Sequence, residues 1–600
     1  MKAESPGITT VFQRSTILRI PFFQRQYVWG QKEWERFVAD MDSLVGARTK
    51  YFLGSLILKE EEVTDEEAMY GVNTKYSVVD GQQRLTTLSL YLKALHSLIP
   101  DETTQNNFKA TFFIQNGQQT PVLSHSINDR PAYQEVMWGN PLNIYEDKRI
   151  VQAYHYFYDE LKNKENKRDL LMSVYARIKF VTIILDGQDD EQQIFDTINS
   201  LGVDLTIDEL MKNFLYEIDD EEAYRNNWKP AFDDNEVRKF WGTDDAARKQ
   251  VATDENKTIT NFFYDFVRIK MWDFKDQKGF DRKAFAQKNH IFNTCKAFVE
   301  IFHADKQELA NEIIDYSKLY HQYFNKKNLD IRVPMTPCIE RVACIAMASV
   351  PSITPYLLYV LKNVPDLAEK NKIFGYIEKY LVRRMVCFSA DQNKNYVEFF
   401  GETLTGNRLD SYDKLKKYIE SIDDAKNQRM PSNDEVQMNI HQRTYGSDDI
   451  LPRLFFYLQE TANRYMQNMG GFNYFMAESI IPKRTKANEQ NYPPHADDVL
   501  EQQRQTRIKT LGNYVLLHQS YDPNIVDEKV KKEERGKFEK EVKKHSNERW
   551  TDKKTALISN SQNVVCSDWL TSKRDWGESE IDERNRGLAK LITDYVWPLD

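Results

Sequence analysis

Apolar positions in this chain follow two rhythms. Short β-branched runs at 17–20, 51–59, 75–80 and 178–186 have strand length, and Ile178-Lys-Phe-Val-Thr-Ile-Ile-Leu185 is apolar enough for a buried strand. Elsewhere apolar residues recur at helical spacing. The sharpest switch between the two lies in Tyr76-Ser-Val-Val-Asp-Gly-Gln-Gln-Arg-Leu-Thr-Thr-Leu88, where an extended run breaks at a polar turn and restarts as a helix bearing Leu85, Leu88, Leu92 and Leu95 on one face. Strands and helices thus mix over residues 1–215, as in an α/β domain. A second helix is expected over Glu191–Ile198. From 216 to 430 the pattern is almost wholly helical, with amphipathic stretches at Thr260–Trp272, Pro337–Ala348 and Ile373–Cys387. The polar stretch Asp423–Glu435, with Pro431, Ser432 and Asn433, is the expected boundary before a third domain, 431–600. Residues 527–549 alternate lysine and glutamate, the pattern of a solvated helix, with Lys531, Lys532, Lys543 and Lys544 able to meet a phosphate backbone.

The turn is the first candidate site. A helix start presents unpaired N–H groups, and Gly81, Gln82, Gln83 and Arg84 around it suit a phosphate or another anion; alternatively Asp80 is only an N-cap and Arg84 a surface ion pair. Upstream, Ile20-Pro-Phe-Phe-Gln-Arg-Gln-Tyr-Val-Trp29 sets four aromatics around Arg25 and two amides. Gln24, Tyr27 and Trp29 suit a planar ring or base and Arg25 a phosphate, unless the rings simply cover the core.

Composition narrows the classes. The 600 residues, 41% apolar and 29% charged, are globular and exceed one hydrophobic core. A net charge of −9 excludes a surface that grips nucleic acid everywhere, so any DNA contact is a local basic patch. The five cysteines (295, 338, 344, 387 and 566) show no CxxC pairing, which points to a reducing cytoplasm and no zinc cluster. No signal pattern opens the chain and no apolar run reaches about 18 residues, so neither secretion nor membrane insertion is expected. Walker loops and GxSxG elbows are absent, and the histidines lack HxxxH spacing.

Four motifs in fixed order carry a resemblance. They are Ile20-Pro-x-x-Gln24-Arg25-x-Tyr27-x-Trp29, Phe52-Leu-Gly-Ser-Leu-Ile57, Asp80-Gly-Gln-Gln-Arg84, and Phe195-Asp-Thr-Ile-Asn199-Ser-Leu-Gly202-Val-Asp-Leu205-Thr-x-x-Glu-Leu-x-Lys212. Together they resemble the N-terminal half of the GmrSD-type, modification-dependent (type IV) restriction endonucleases, whose fold is akin to ParB and sulfiredoxin. Ala477-Glu-Ser-Ile-Ile-Pro-Lys483, Leu511-Gly-Asn-Tyr-Val-Leu-Leu517 and Trp576…Ile581-x-x-Arg584-x-x-x-Leu588…Trp597 resemble the other half, an HNH-like (ββα-metal) domain.

The resemblance implies an α+β multidomain, predominantly helical protein: a ParB/sulfiredoxin-like domain, a helical middle and an HNH-like C-terminal domain. It implies antiphage defence in which the N-terminal domain binds or hydrolyses an NTP (ATP or GTP) or senses modified DNA and controls a DNA-acting C-terminal domain, with Mg²⁺ or Mn²⁺ as cofactor, DNA, including modified phage DNA, as partner, and a homo-oligomer or a partner defence protein. Asp80, Gln82, Gln83 and Arg84 would hold the nucleotide, Gln24, Arg25, Tyr27 and Trp29 would line the pocket, and Asn199, Gly202, Asp208 and Lys212 would complete it. At the C-terminal site Glu478 and Asn513 remain, Glu478 as a weak metal ligand. Ser479 stands where the family carries its water-activating histidine, and the later family asparagine falls near Tyr521. A hydroxyl cannot serve as general base near neutral pH, so this domain is expected to cleave DNA weakly or not at all, with His518 and His495 the nearest replacements. The alternative is a non-nuclease sensor or regulatory subunit whose HNH-like domain binds DNA or a partner.

Overall fold

The computed structural model describes residues 2–114, 120–139, 143–185, 205–217, 220–244, 258–334, 339–388, 396–422, 428–446, 449–463, 470–483, 488–519, 522, 524–525, 527–558, 564–565 and 568–599. The fold is α+β and mostly helical. The chain divides into two compact units, Met1–Ile259 with Asp305–Ala310, and Thr260–Ala304 with Asn311–Asp600.

The first unit is built on a six-stranded mixed sheet of β1 (Lys2–Glu4), β2 (Thr16–Arg19), β3 (Tyr51–Glu61), β4 (Thr74–Asp80), β5 (Leu123–Ser124) and β6 (Ile178–Leu185), in the order β1-β6-β3-β4-β2-β5. The four strands read from β-branched runs form within a residue or two of expectation. β4 runs antiparallel to β3 and parallel to β2, while β3 runs parallel to β6. The helix Gln82–Ser97 follows β4 directly and buries Leu85, Leu88, Leu92 and Leu95 completely in the main core. Its Tyr91 ring lies 5.5 Å from Phe157 of the helix Arg149–Lys162 and 5.4 Å from Phe37 of the helix Gln31–Asp42. A smaller cluster of Ile57, Val79 and Leu185, joined by Ile183 and Leu205, closes around the end of β4. The expected helix Glu191–Ile198 lies outside the described residues, as do Asn199 and Gly202.

The second unit is helical apart from a three-stranded antiparallel sheet, β7 (Phe475–Ser479), β8 (Tyr514–His518) and β9 (Val564–Val565), in that order. The periodic stretches form the helices Thr258–Lys270, Ile339–Ala348 and Leu367–Cys387. The last two meet through a fully buried ion pair, Arg341 to Glu378 at 2.5 Å, which the Trp597 indole N–H also joins at 3.2 Å. Ser432 caps the helix Asn433–Asn439 in a capping box with Glu435. The lysine and glutamate stretch forms the helix Glu528–Lys544, and its Lys531 is tied to Asp330 at 3.2 Å.

Candidate functional site

The polar turn after β4 is shaped by two glycines from two different motifs. Gly81 adopts φ +104°, and a Cβ there would lie 2.9 Å from Leu56 Cδ1 and 3.2 Å from the Ser55 carbonyl oxygen. Gly54 adopts φ +129° where the pairing of β3 with β6 shifts register, and a Cβ there would lie 2.6 Å from Arg84 Nη1. Both positions therefore require glycine, once for the left-handed backbone and again for the close approach. In the space so cleared, Arg84 Nη2 donates to Asp80 Oδ2 at 2.7 Å, with both side chains about one quarter exposed. A guanidinium held beside a helix start, open on one side to solvent, is an arrangement that accepts a phosphate.

The upstream loop meets this turn through its glutamines. Gln83 accepts from Val28 N–H at 2.9 Å and donates to the Gln26 carbonyl at 3.1 Å. Gln24 donates to the Val79 carbonyl at 3.1 Å. These two amides thus fasten loop to turn, a positioning job distinct from reading a ligand edge. Tyr27 is 3% exposed, and its hydroxyl is shared between Thr87 Oγ1 at 2.7 Å and the Trp34 indole N–H at 2.9 Å. Burial pushes that phenol's pKa well up, so Tyr27 is a neutral core ring. Trp29 is half-buried against the same core, and Gln82 is buried in the first helical turn. Arg25 is half-buried and engaged within the protein.

Asp208 and Lys212 lie on the short helix Ile207–Leu215 and are both buried. Lys212 Nζ donates to Asp233 at 2.8 Å, and the Tyr224 hydroxyl donates to the same carboxylate at 2.6 Å. Burial foremost, with the neighbouring Glu209 and Asp233 carboxylates, pushes the Asp208 carboxyl upward. The Tyr224 ring packs 4.9 Å from Phe22, which links this cluster to the loop carrying Gln24 and Arg25. Asp233 and Tyr224 carry no motif; they sit in a π-helical segment, Tyr224–Asp233, interrupted by Pro230, and only the fold brings them to Lys212.

In the second unit the C-terminal candidates converge on an internal cation. Lys553 is fully buried and donates to the carbonyls of Ser479 at 2.7 Å, Ser546 at 3.0 Å and Ile480 at 3.4 Å, with Glu478 Oε1 at 3.6 Å. Burial raises the Glu478 pKa and lowers that of Lys553, in each case against the pull of the partner. Asn513 is consumed structurally: its amide donates to the carbonyls of Ile481 (2.8 Å) and Ile508 (2.7 Å) and accepts from Ile481 N–H (2.9 Å).

The register pairs Glu478 with Val515 and Phe475 with His518. Glu478 and Phe475 are offset by three positions along the strand, an odd number, so Glu478 and His518 occupy opposite faces of the sheet. His495 is bound to Glu578 at 2.5 Å. Neither imidazole therefore joins Glu478. A divalent ion does not fit this donor set, since an ammonium already sits against Glu478 and the adjoining carbonyls. Among the described residues no group of three or more His, Cys, Asp or Glu could hold a metal. The position near Tyr521 lies outside the described residues.

Comparison with protein families accounts for both halves. Residues 8–216 match the GmrSD restriction endonuclease N-terminal domain, and residues 407–591 match the GmrSD restriction endonuclease C-terminal domain. The chain belongs to the GmrSD restriction endonuclease family, a membership that implies DNA as its partner. Residues 244–334 also match the Gtr1/RagA G protein conserved region. The described part of that segment, 258–334, consists of helices and turns, and no phosphate-binding GxxxxGK[ST] sequence occurs in the chain. No curated protein matches the chain. Among the described residues no helix is long and apolar enough to cross a membrane.

Proposed function

We propose that this is a type IV restriction-like defence protein whose N-terminal unit binds a nucleoside triphosphate at the Asp80–Arg84 turn and thereby controls a C-terminal domain that engages DNA. The observation that carries the reading is Arg84, its guanidinium set over Gly54 and against Asp80 at the start of a buried helix. In this reading Arg84 and the N–H groups of the first turn take the phosphates, Asp80 orients Arg84, and Arg25 with Trp29 borders the remainder of the ligand. Gln24 and Gln83 position the loop, while Asp208, Lys212 and Asp233 brace it from beneath. Asn199 and Gly202 complete the motif by resemblance. Mg²⁺ or Mn²⁺ would accompany the nucleotide. The reading keeps the ParB/sulfiredoxin-like and HNH-like folds for 1–215 and 431–600, with 216–430 as connector.

For the C-terminal domain the favoured reading is DNA or partner binding without intrinsic cleavage. Support comes from the serine at 479 and from the Lys553 ammonium against Glu478. Cleavage, where it occurs, is then supplied by a partner chain. The test is a nuclease assay on modified and unmodified DNA, with and without NTP and with Mg²⁺ or Mn²⁺. Nucleotide-responsive DNA binding without cleavage is expected. Metal-dependent cleavage that disappears in Glu478→Ala would overturn the C-terminal reading.

A further inference from the structure

A cavity of ≈ 830 Å³ lies within the second unit, between the helix Glu578–Lys590 and residues of the helices Asn433–Asn439 and Ile450–Asn463. Its size is that of a small-molecule site. Of the residues quoted above it holds Arg584 and Leu588 of the C-terminal motif, and none of those assigned to nucleotide binding or to the Glu478 site.

The cavity face of Glu578–Lys590 is centred on Gly587. At 3.6 residues per turn, Glu583 and Leu591 stack above and below it, Arg586 and Lys590 fall on one flank, and Arg584 and Leu588 on the other. A glycine inside a helix costs about 1 kcal/mol relative to alanine. Packing does not require this one, because a Cβ at Gly587 would meet nothing within 4 Å. The helix is therefore bare at the centre of the cavity wall. Arg586 and Lys590 stand one turn apart and exposed, and among the described residues neither side chain is held in an ion pair. Two such cations on one rim suit a single phosphate.

The other flank of this helix, with the helix Ile450–Asn463 opposite it, has a different chemistry. Arg584, fixed by the carbonyls of Gly512 and Tyr514, stacks 4.9 Å from the Phe456 ring, a planar pair of the kind that receives a heterocycle. Beside it Gln459 and the buried carboxylate of Glu460 offer an acceptor-rich edge. A carboxylate there favours a base edge with two adjacent N–H donors, as in guanine, over one whose single N–H lies between two carbonyls, as in uracil.

We propose that this cavity binds a nucleoside monophosphate group with an amine-bearing base: phosphate on Arg586 and Lys590, sugar over Gly587, base edge on Glu460 and Gln459. Free nucleotide and a nucleotide at the end of a DNA strand share this chemistry.

The test is calorimetric titration of the full chain with GMP, UMP, inorganic phosphate and a single-stranded oligonucleotide ending in guanylate. GMP is expected to bind at least tenfold more tightly than UMP or phosphate. Binding should fall at least tenfold in Gly587→Leu, which fills the floor, and in the Arg586→Gln/Lys590→Gln pair, which leaves the helix intact. Gly587→Ala should remain folded and be more heat-stable. The titrations are repeated in the Arg84→Ala background, where the N-terminal turn no longer contributes a nucleotide site; GMP binding that persists there and is lost in the Gly587 and Arg586/Lys590 variants belongs to this cavity, so failure here is distinguishable from failure there. An oligonucleotide that competes with GMP and loses affinity in the same variants identifies DNA as the source; one that does not compete identifies the free nucleotide. Absence of GMP binding, equal binding of phosphate, or binding that survives both blocking variants overturns the proposal.

Discussion

Replacing Lys553 by methionine should destabilise the C-terminal sheet by about 3–5 kcal/mol, the usual cost of removing one member of a buried charged pair. Methionine keeps nearly the same length and fills the same space, so the loss is electrostatic. What disappears is a donor to the Ser479, Ser546 and Ile480 carbonyls and the cation 3.6 Å from Glu478. Each carbonyl left dry costs about 1–3 kcal/mol, offset in part because the ammonium no longer has to be desolvated. That desolvation is the largest influence on Lys553, whose pKa it lowers. Adding Glu478→Gln to Lys553→Met should recover about 1–3 kcal/mol, since the stranded carboxylate is then gone. The assay is amide hydrogen exchange read by mass spectrometry on peptides spanning 476–483, which isolates this sheet from the unfolding of the rest of the chain. Protection within about 1 kcal/mol of wild type in Lys553→Met would refute the internal-cation argument.

Other outcomes follow from the same geometry. Gly54→Ala should act as an indirect lesion of Arg84: with its Cβ 2.6 Å from Arg84 Nη1, it should cost about 1–3 kcal/mol of stability and weaken NTP binding as Arg84→Ala does, as thermal unfolding and titration will tell. Glu378→Ala strands the fully buried Arg341 and should cost about 3–5 kcal/mol in urea unfolding, whereas a variant indistinguishable from wild type contradicts the pairing. Burial pushes the Asp265 carboxyl up to about 7, against Arg268 and Lys288. The folded form thus keeps a proton that the unfolded chain releases near 3.8, and the associated stability, present below that value, is lost as pH rises through about 7. At about 1.4 kcal/mol per unit the loss is on the order of 4 kcal/mol, and Asp265→Asn should flatten the curve; an equal decline in the variant would rule this out.

Much of the frame was legible because it rests on period. The β-branched runs became strands, and the leucines at 85, 88, 92 and 95 identified the buried face of the helix after the turn. Motif order also located the glycines that shape that turn. What composition could not convey is direction. An aromatic cluster reads alike whether its rings face a ligand or the core, and only the hydrogen bonds of Tyr27 to Thr87 and Trp34 assign it to the core. The amides of Gln24 and Gln83 likewise read as ligand donors until the backbone groups they meet are known. Lys553 was hidden for another reason. It follows a lysine-rich solvated helix in sequence, and its partners at 478–480 lie more than seventy residues away.

The central claim, that Arg84 at the turn after β4 binds the phosphates of a nucleotide, is tested most directly by titrating wild type and Arg84→Ala with ATP and GTP in the presence of Mg²⁺. A charge-assisted hydrogen bond of about 1.5–3 kcal/mol predicts affinity for one of these nucleotides weaker by roughly ten- to a hundredfold in the variant, whose unfolding temperature stays near that of wild type. Unchanged affinity in a folded Arg84→Ala protein, or no nucleotide binding by the wild type, would contradict it.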